Sequence, residues 1–307
     1  MHDATALLPM TGAASATDPV TMTAISFLGG FTNKNTRSAY MIDLRIYFDW
    51  CASVGVNPIE AKRGHVQAFV VHLAEARGNS AASVCRRMGT IAGYYDTAVV
   101  DEVIEHSPAH HIRLPKIHED PSKRTWLNRW ELSAVMHAAE ASTLPADWAT
   151  VICMGMLGMR VSAVCNIQIE DMSRDQTGYR YLHTIGKGSK PSMKVLPIPS
   201  WKAIDRAQGD RTSGPLLLRR DGSQMNRRSA AVVVERLCRD AGVNRHITPH
   251  SFRRSFVTLA LQAGVPIEVV QYDVDHSSSR TTATYNRLAP DPNSRASITV
   301  SALLAAS

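Results

Sequence analysis

The sequence predicts a mainly α-helical protein with one small antiparallel β-sheet, arranged as two domains. Three observations lead there. Apolar residues recur at helical spacing through most of the 307 residues. A single pair of segments, YRYLHTI and MKVLPIP around the turn GKGSK, carries strand-like alternation. Between two helical stretches, SPAHHIRLPKIHEDPSKRT (Ser107 to Thr125) has three prolines, mixed charge and little periodicity, the properties of a linker.

Residues 1–20 are rich in Ala, Thr and Ser and read as a flexible leader; no basic region precedes an apolar run, so a secretory signal is not expected. From Thr36, Tyr40, Leu44, Tyr47, Phe48 and Cys51 share a helix face, and Gly55 with Asn57-Pro58 ends that helix. Val66, Phe69, Val70 and Leu73 mark a second helix. Val84, Met88, Ile91 and Tyr95 mark a third, from near Ser80, with Arg86 and Arg87 on its outer side. Residues 21–108 thus form a small all-helical domain, its aromatic stripe core rather than a nucleobase platform, followed by the linker 109–125. Beyond it, Asn128 caps a helix carrying Trp130, Leu132, Val135, Met136 and Ala139, and the apolar DWATVICMGMLGM runs into Arg160. Gly186 and Gly188 give the strand pair its turn. Ser200–Ala207, Arg227–Ala241, Pro249–Ala263 and Pro266–Tyr272 are helical, and no internal repeat is visible.

Composition narrows the function classes. An apolar content of 44% supports a sizeable core, yet no run reaches the roughly 18 uninterrupted apolar residues of a membrane span, so cytoplasm is the expected location. The five cysteines are scattered without a C-x-x-C pair, which argues against a disulfide framework or structural zinc; His110, His111 and His118 lie in the linker without matching ligands, so no metal site is expected. The net charge of +7 favours a polyanionic partner, most simply nucleic acid. The charge falls in pairs at element starts and turns: Arg86–Arg87, Lys123–Arg124, Arg219–Arg220, Arg227–Arg228 and Arg253–Arg254.

The segment PHSFRRSF, with HSSSRTTATY shortly after it, concentrates hydrogen-bond donors. Thr248 and Pro249 start a helix whose first turn holds His250, where free amides and the dipole favour an anion; Arg253 follows one turn later on the same side. An isolated H-x-x-R is an ordinary basic helix turn. Here it is followed by G-V-P-I-x-x-V-Q and then H-S-S-x-x-T-T-x-x-Y, ending at Tyr285, and the order resembles the tyrosine recombinase (phage integrase) family, with H-x-L-R-H-T-F-A-T, L-G-H-S-S and T-x-x-Y. Upstream, GMLGMRVSAVCNIQIEDM resembles that family's G-L-R-I-S-E-L-L-x-L-x-W-x-D-I, IGKGSKPSMKVLPIP its hairpin G-K-G-x-K-x-R-x-V-P-L, and NTRSAYMIDLRIYFDWC the start of its core-binding domain. The resemblance runs from about Asn35 to Arg287.

The resemblance implies a two-domain DNA clamp: a helical core-binding domain over 21–108, a catalytic domain over 126–290, and a tail over 291–307 that docks on a neighbouring subunit. It implies a site of Arg160, Lys187, His250, Arg253, His276 and Tyr285. Tyr285 is the nucleophile that forms a 3′-phosphotyrosyl intermediate, the arginines stabilise charge on phosphorus, Lys187 is the general acid, and the histidines serve proton transfer and phosphate hydrogen bonding. Lys190 and Lys194 lie near Lys187, and its place between glycines is what selects it. No metal or other cofactor is implied. The implied partners are double-stranded DNA, a homotetramer on two sites, and accessory DNA-bending or directionality proteins; Arg86, Arg87, Arg227 and Arg228 are candidate phosphate contacts. The short stretch ahead of the first helices carries too little pattern for an added arm-type DNA-binding domain.

Three departures stand out. The acidic residue usual three positions after the first arginine is Ala163, and L-G-H reads Val274-Asp275-His276; Arg254 also replaces a common histidine. They keep open a catalytically idle DNA-binding protein on this scaffold. Type IB topoisomerase-like relaxation, which needs neither two sites nor subunit exchange, is the other competing activity.

Overall fold

The computed structural model describes residues 18–118, 125–185 and 191–275. The chain divides into two compact units at Glu119 and Asp120. The leader through residue 17, the end of the linker and the tail lie outside the described residues.

In the first unit, α1 (Pro19–Gly29), α2 (Lys34–Ser53), α3 (Arg63–Val71) and α4 (Ala81–Val100) pack around one core. Three of these starts have a local cause: Asp18, Asn33 and Ser80 accept from first-turn amides of α1, α2 and α4. The aromatic stripe is core, as its spacing predicts, with Tyr47, Phe69, Tyr94 and Tyr95 almost fully buried. Tyr95 Oη donates to the Pro58 carbonyl (2.8 Å), so its contact with Tyr47 Oη (2.6 Å) has Tyr47 as donor, and both buried hydroxyls are satisfied.

Arg86 and Arg87 are not simply on an outer side. Asp43, 1% exposed, draws both inward: Arg86 Nη1 and Nη2 (2.8 Å), Arg87 Nη1 (2.6 Å) and Thr90 Oγ1 (3.0 Å) all donate to its carboxylate. Arg86 still keeps about half of its side chain in solvent, at 49%. The start of the proline-rich segment also belongs to this unit. Gln67 exchanges two hydrogen bonds with the Arg113 backbone, and Cys85 Sγ lies 3.5 Å from the Pro115 carbonyl.

In the second unit, α6 (Pro145–Gly155) is the central element. Every residue from Asp147 to Gly155 is buried, with α5 (Arg129–Ala141), α8 (Ile198–Gln208) and α10 (Pro249–Gln262) packed on it. Such all-round burial explains why DWATVICMG is apolar on every side; it also pushes the Cys153 thiol up to about 12. The sequence extends this helix to Met159, but it ends at Gly155. Gly158 takes φ +62°, and a separate short helix, α7 (Val161–Cys165), begins after Arg160. Among the described residues, α9 (Arg227–Asp240) and α11 (Ile267–Asp273) are the remaining α-helices of this unit.

The sheet has three strands rather than two: β1 (Met172–Arg174), β2 (Arg180–Ile185) and β3 (Pro191–Val195), antiparallel in that order. Leu182 pairs with Lys194 and Thr184 with Ser192. On β3 the expected alternation is inverted: Ser192 and Lys194 turn inward, while Met193 and Val195 are exposed. The polar residues are inside because acceptors await them, as described below. Among the described residues no helix is long and apolar enough to cross a membrane.

Candidate active site

Arg160 follows the α6 connection and is the N-cap residue of α7, so its side chain leaves the chain at the one irregular point between two helices. Its Nη2 donates to the backbone carbonyl of Asp275 (2.8 Å), and its Nη1 lies 3.9 Å from that residue's carboxylate. Arg253 projects from α10 and is 3% exposed. Its Nη1 donates to the Gly158 carbonyl (2.6 Å) and its Nη2 to the Val274 carbonyl. Two guanidiniums distant in sequence thus converge on consecutive carbonyls, immediately before His276.

Gly158 makes this approach work. Its left-handed backbone aims the carbonyl at Arg253, and Phe256, one turn beyond Arg253, lies across it; a Cβ at 158 would stand 2.9 Å from Phe256 Cε1. Gly158→Ala is expected to cost about 2 kcal/mol, combining left-handed strain with overlap. Thermal melting checks this, and Phe256→Leu in the same chain recovers part of the loss.

His250 sits in the first turn of α10, which Thr248 caps by accepting from the Ser251 amide (3.3 Å), with Pro249 at the first position. Partial desolvation, followed by the charges of Arg254, Arg253 and Arg160, holds its imidazole below the ordinary range. The shift favours the neutral imidazole, the form that can accept a proton. The unfolded chain takes up this proton first, so the contribution of His250 is destabilising as pH falls through about 6.5 and absent above it. An NMR titration of the DNA-free protein is expected to give His250 a midpoint below about 6.5, moving up when a phosphate anion enters.

The cleft beside these groups has a volume of about 1020 Å³ and is lined by Arg160, Ala163, Gln168, His183, Lys194 and Asp275 among others. Lys194, which the sequence leaves as a neighbour of Lys187, is 6% exposed. Its ammonium donates to the Asp273 carbonyl and pairs with both Asp275 oxygens (3.3 and 3.4 Å). Burial pulls its pKa below the usual lysine range against the opposing pull of Asp275 and Asp273. These are the acceptors that turn β3 inside out. A polar Ser-x-Lys at inward strand positions was the available signal.

Of the residues singled out in the sequence, the structure brings Arg160, His250 and Arg253 together. Lys187, His276 and Tyr285 lie outside the described residues. Arg227 and Arg228 are exposed in the first turn of α9, and Arg86 and Arg87 belong to the other unit. Among the described residues no group of three His, Cys, Asp or Glu side chains is placed to hold a metal ion.

Comparison with known proteins defines the class. The model of the phage integrase family matches residues 125–291. Solved structures with the same fold include XerH site-specific recombinase bound to difH substrate (TM-score 0.65, 20% identity, 91% of this chain and 83% of that one). A lambda integrase dimer bound to a core site aligns with a TM-score of 0.69 at 14% identity, over 88% of this chain and 76% of that one. The chain belongs to the phage integrase family, the tyrosine-type site-specific recombinases. Among curated proteins it is similar to tyrosine recombinase XerD of Chlorobaculum tepidum, 28% identical over 83% of this chain and 86% of that protein, and to XerC of Leptospira interrogans, 24% identical over 82% and 83%.

Proposed function

We propose that this recombinase cleaves and rejoins double-stranded DNA through a 3′-phosphotyrosyl intermediate on Tyr285. The observation that carries the reading is the convergence of Arg160 and Arg253 on the consecutive carbonyls of Val274 and Asp275, with His250 in the first turn of the helix that carries Arg253. Two planar guanidiniums suit the two non-bridging oxygens of a phosphodiester, whose charge grows as phosphorus becomes pentavalent. The Tyr285 oxygen attacks phosphorus, the bond from phosphorus to the 5′ oxygen breaks, and that oxygen takes a proton from Lys187. His250 and His276 handle the tyrosine proton and a phosphate oxygen. The 5′ hydroxyl of a partner strand then attacks the phosphotyrosine and restores the diester, so bond energy is conserved and no metal is needed.

The helical unit and the catalytic unit would close on the duplex as a clamp, with Arg227 and Arg228 as phosphate contacts. Four copies would act on two sites in the cytoplasm, the apolar tail segment ITVSALLAA joining neighbours. The pairing of Asp275 with Lys194 supports an active enzyme over an idle one, because the carboxylate beside the arginines is answered by a cation. The test is a labelled duplex carrying the cognate site, nicked near the cleavage point. Wild type is expected to form a protease-sensitive covalent adduct and Tyr285→Phe none. Binding without an adduct from wild type overturns the reading.

A further inference from the structure

Asp275 is unusual three times over. It lies at φ +48°, where glycine is at ease and other residues seldom go; it replaces the glycine of the family pattern; and it faces the same cleft as Ala163, which replaces an acid. Its carboxylate is fixed rather than solvated. Ser192 Oγ donates to Oδ1 (2.6 Å), and the buried Lys194 ammonium reaches both oxygens while also donating to the Asp273 carbonyl. So anchored, one residue holds Arg160 at two points, by its carbonyl at 2.8 Å and by its carboxylate at 3.9 Å. Its direct bond uses one of the five N–H donors of the guanidinium, which leaves the fork able to serve a phosphate.

We propose that Asp275, braced by Ser192 and Lys194, is the positioning carboxylate for Arg160, supplying from the α11 end the orienting charge that Ala163 does not. This rests on the recombinase reading above. A guanidinium on a flexible stem contributes to the transition state only if its plane is already set, because ordering it during the reaction costs what the contact would return. Retention of a carboxylate at a backbone conformation that suits glycine is explained if the charge is used.

The experiment is single-turnover adduct formation on the nicked duplex by wild type, Asp275→Asn and Asp275→Gly. It is run once with the natural phosphodiester and once with a methylphosphonate at the scissile position. Asp275→Asn keeps an acceptor for Ser192 and removes the charge; Asp275→Gly also relaxes the backbone. Both are expected to cleave the phosphodiester about ten- to a hundredfold more slowly, the usual cost of removing a group that orients a reacting one. On the methylphosphonate, which lacks one charged oxygen for a guanidinium to answer, the defect is expected to narrow severalfold, and the same narrowing is expected of Arg160→Ala run alongside. Equal defects on both substrates, or cleavage at or above the wild-type rate, overturn the proposal; the faster case means that the carboxylate obstructs the phosphate. If the single variants fail to fold because Lys194 is left buried and unpaired, Asp275→Asn with Lys194→Met removes that charge and is held to the same outcomes. Absence of an adduct from wild type overturns the recombinase reading and this proposal with it, whereas an adduct from wild type with unchanged substrate ratios overturns the proposal alone.

Discussion

Arg253→Lys is expected to slow strand cleavage by about two to three orders of magnitude while leaving DNA affinity nearly unchanged. The side chain is 3% exposed and spans two carbonyls, those of Gly158 and Val274, with different nitrogens. Lysine keeps the positive charge, so long-range attraction to the duplex survives. A single ammonium lacks the planar fork and cannot reach both carbonyls with separate, fixed nitrogens. One carbonyl is left unsatisfied in a buried place, which costs about 1–3 kcal/mol on its own. Single-turnover adduct formation, compared with gel-shift affinity at one fixed salt concentration, separates the two effects. Cleavage within about threefold of wild type would mean that Arg253 is a structural cross-link and that charge stabilisation comes from elsewhere.

The second large effect lies in the helical unit. Asp43→Ala is expected to destabilise it by about 3 kcal/mol, the lower end for breaking a buried ion pair, because Arg86 retains half its contact with water. The carboxylate is 1% exposed and accepts from Arg86, Arg87 and Thr90, so its loss strands guanidinium groups built to meet it. Its charge also holds the Arg86 guanidinium above the ordinary range, chiefly through their hydrogen bond. A chain of two units does not unfold with one free energy, so the measurement is hydrogen exchange of the α2 and α4 amides. These amides should exchange about a hundredfold faster. A change under about threefold would class the cluster with exposed ion pairs of little worth.

How much of this was legible in the sequence depends on the range of the interaction. Helices with a clean apolar period, such as α2 and α4, can be read from Tyr47, Leu44, Ile91 and Tyr95 alone, because burial imposes the spacing locally. The short elements escape for the opposite reason. β1 is three residues, MSR, with no alternation to read, and α7 is five residues cut from the apolar run by Gly158. The Asp43 cluster is invisible because its partners are more than forty residues apart. At the site, residue types and order singled out Arg160, His250 and Arg253 through family resemblance, and the structure places them near one another; that Arg253 would be buried and Lys194 face inward was not legible. Those depend on carbonyls and a carboxylate presented by the end of α11, a tertiary arrangement with no periodic trace.

Tyr285 is expected to carry the DNA during strand exchange. The adduct from the nicked duplex is digested with protease and nuclease, and the nucleotide-bearing peptide is sequenced by mass spectrometry. One modified peptide is expected, with Tyr285 linked through its oxygen to a 3′-phosphate, and a free 5′ hydroxyl on the released strand. A nucleotide on any other residue, or a linkage to the 5′ phosphate, would contradict it.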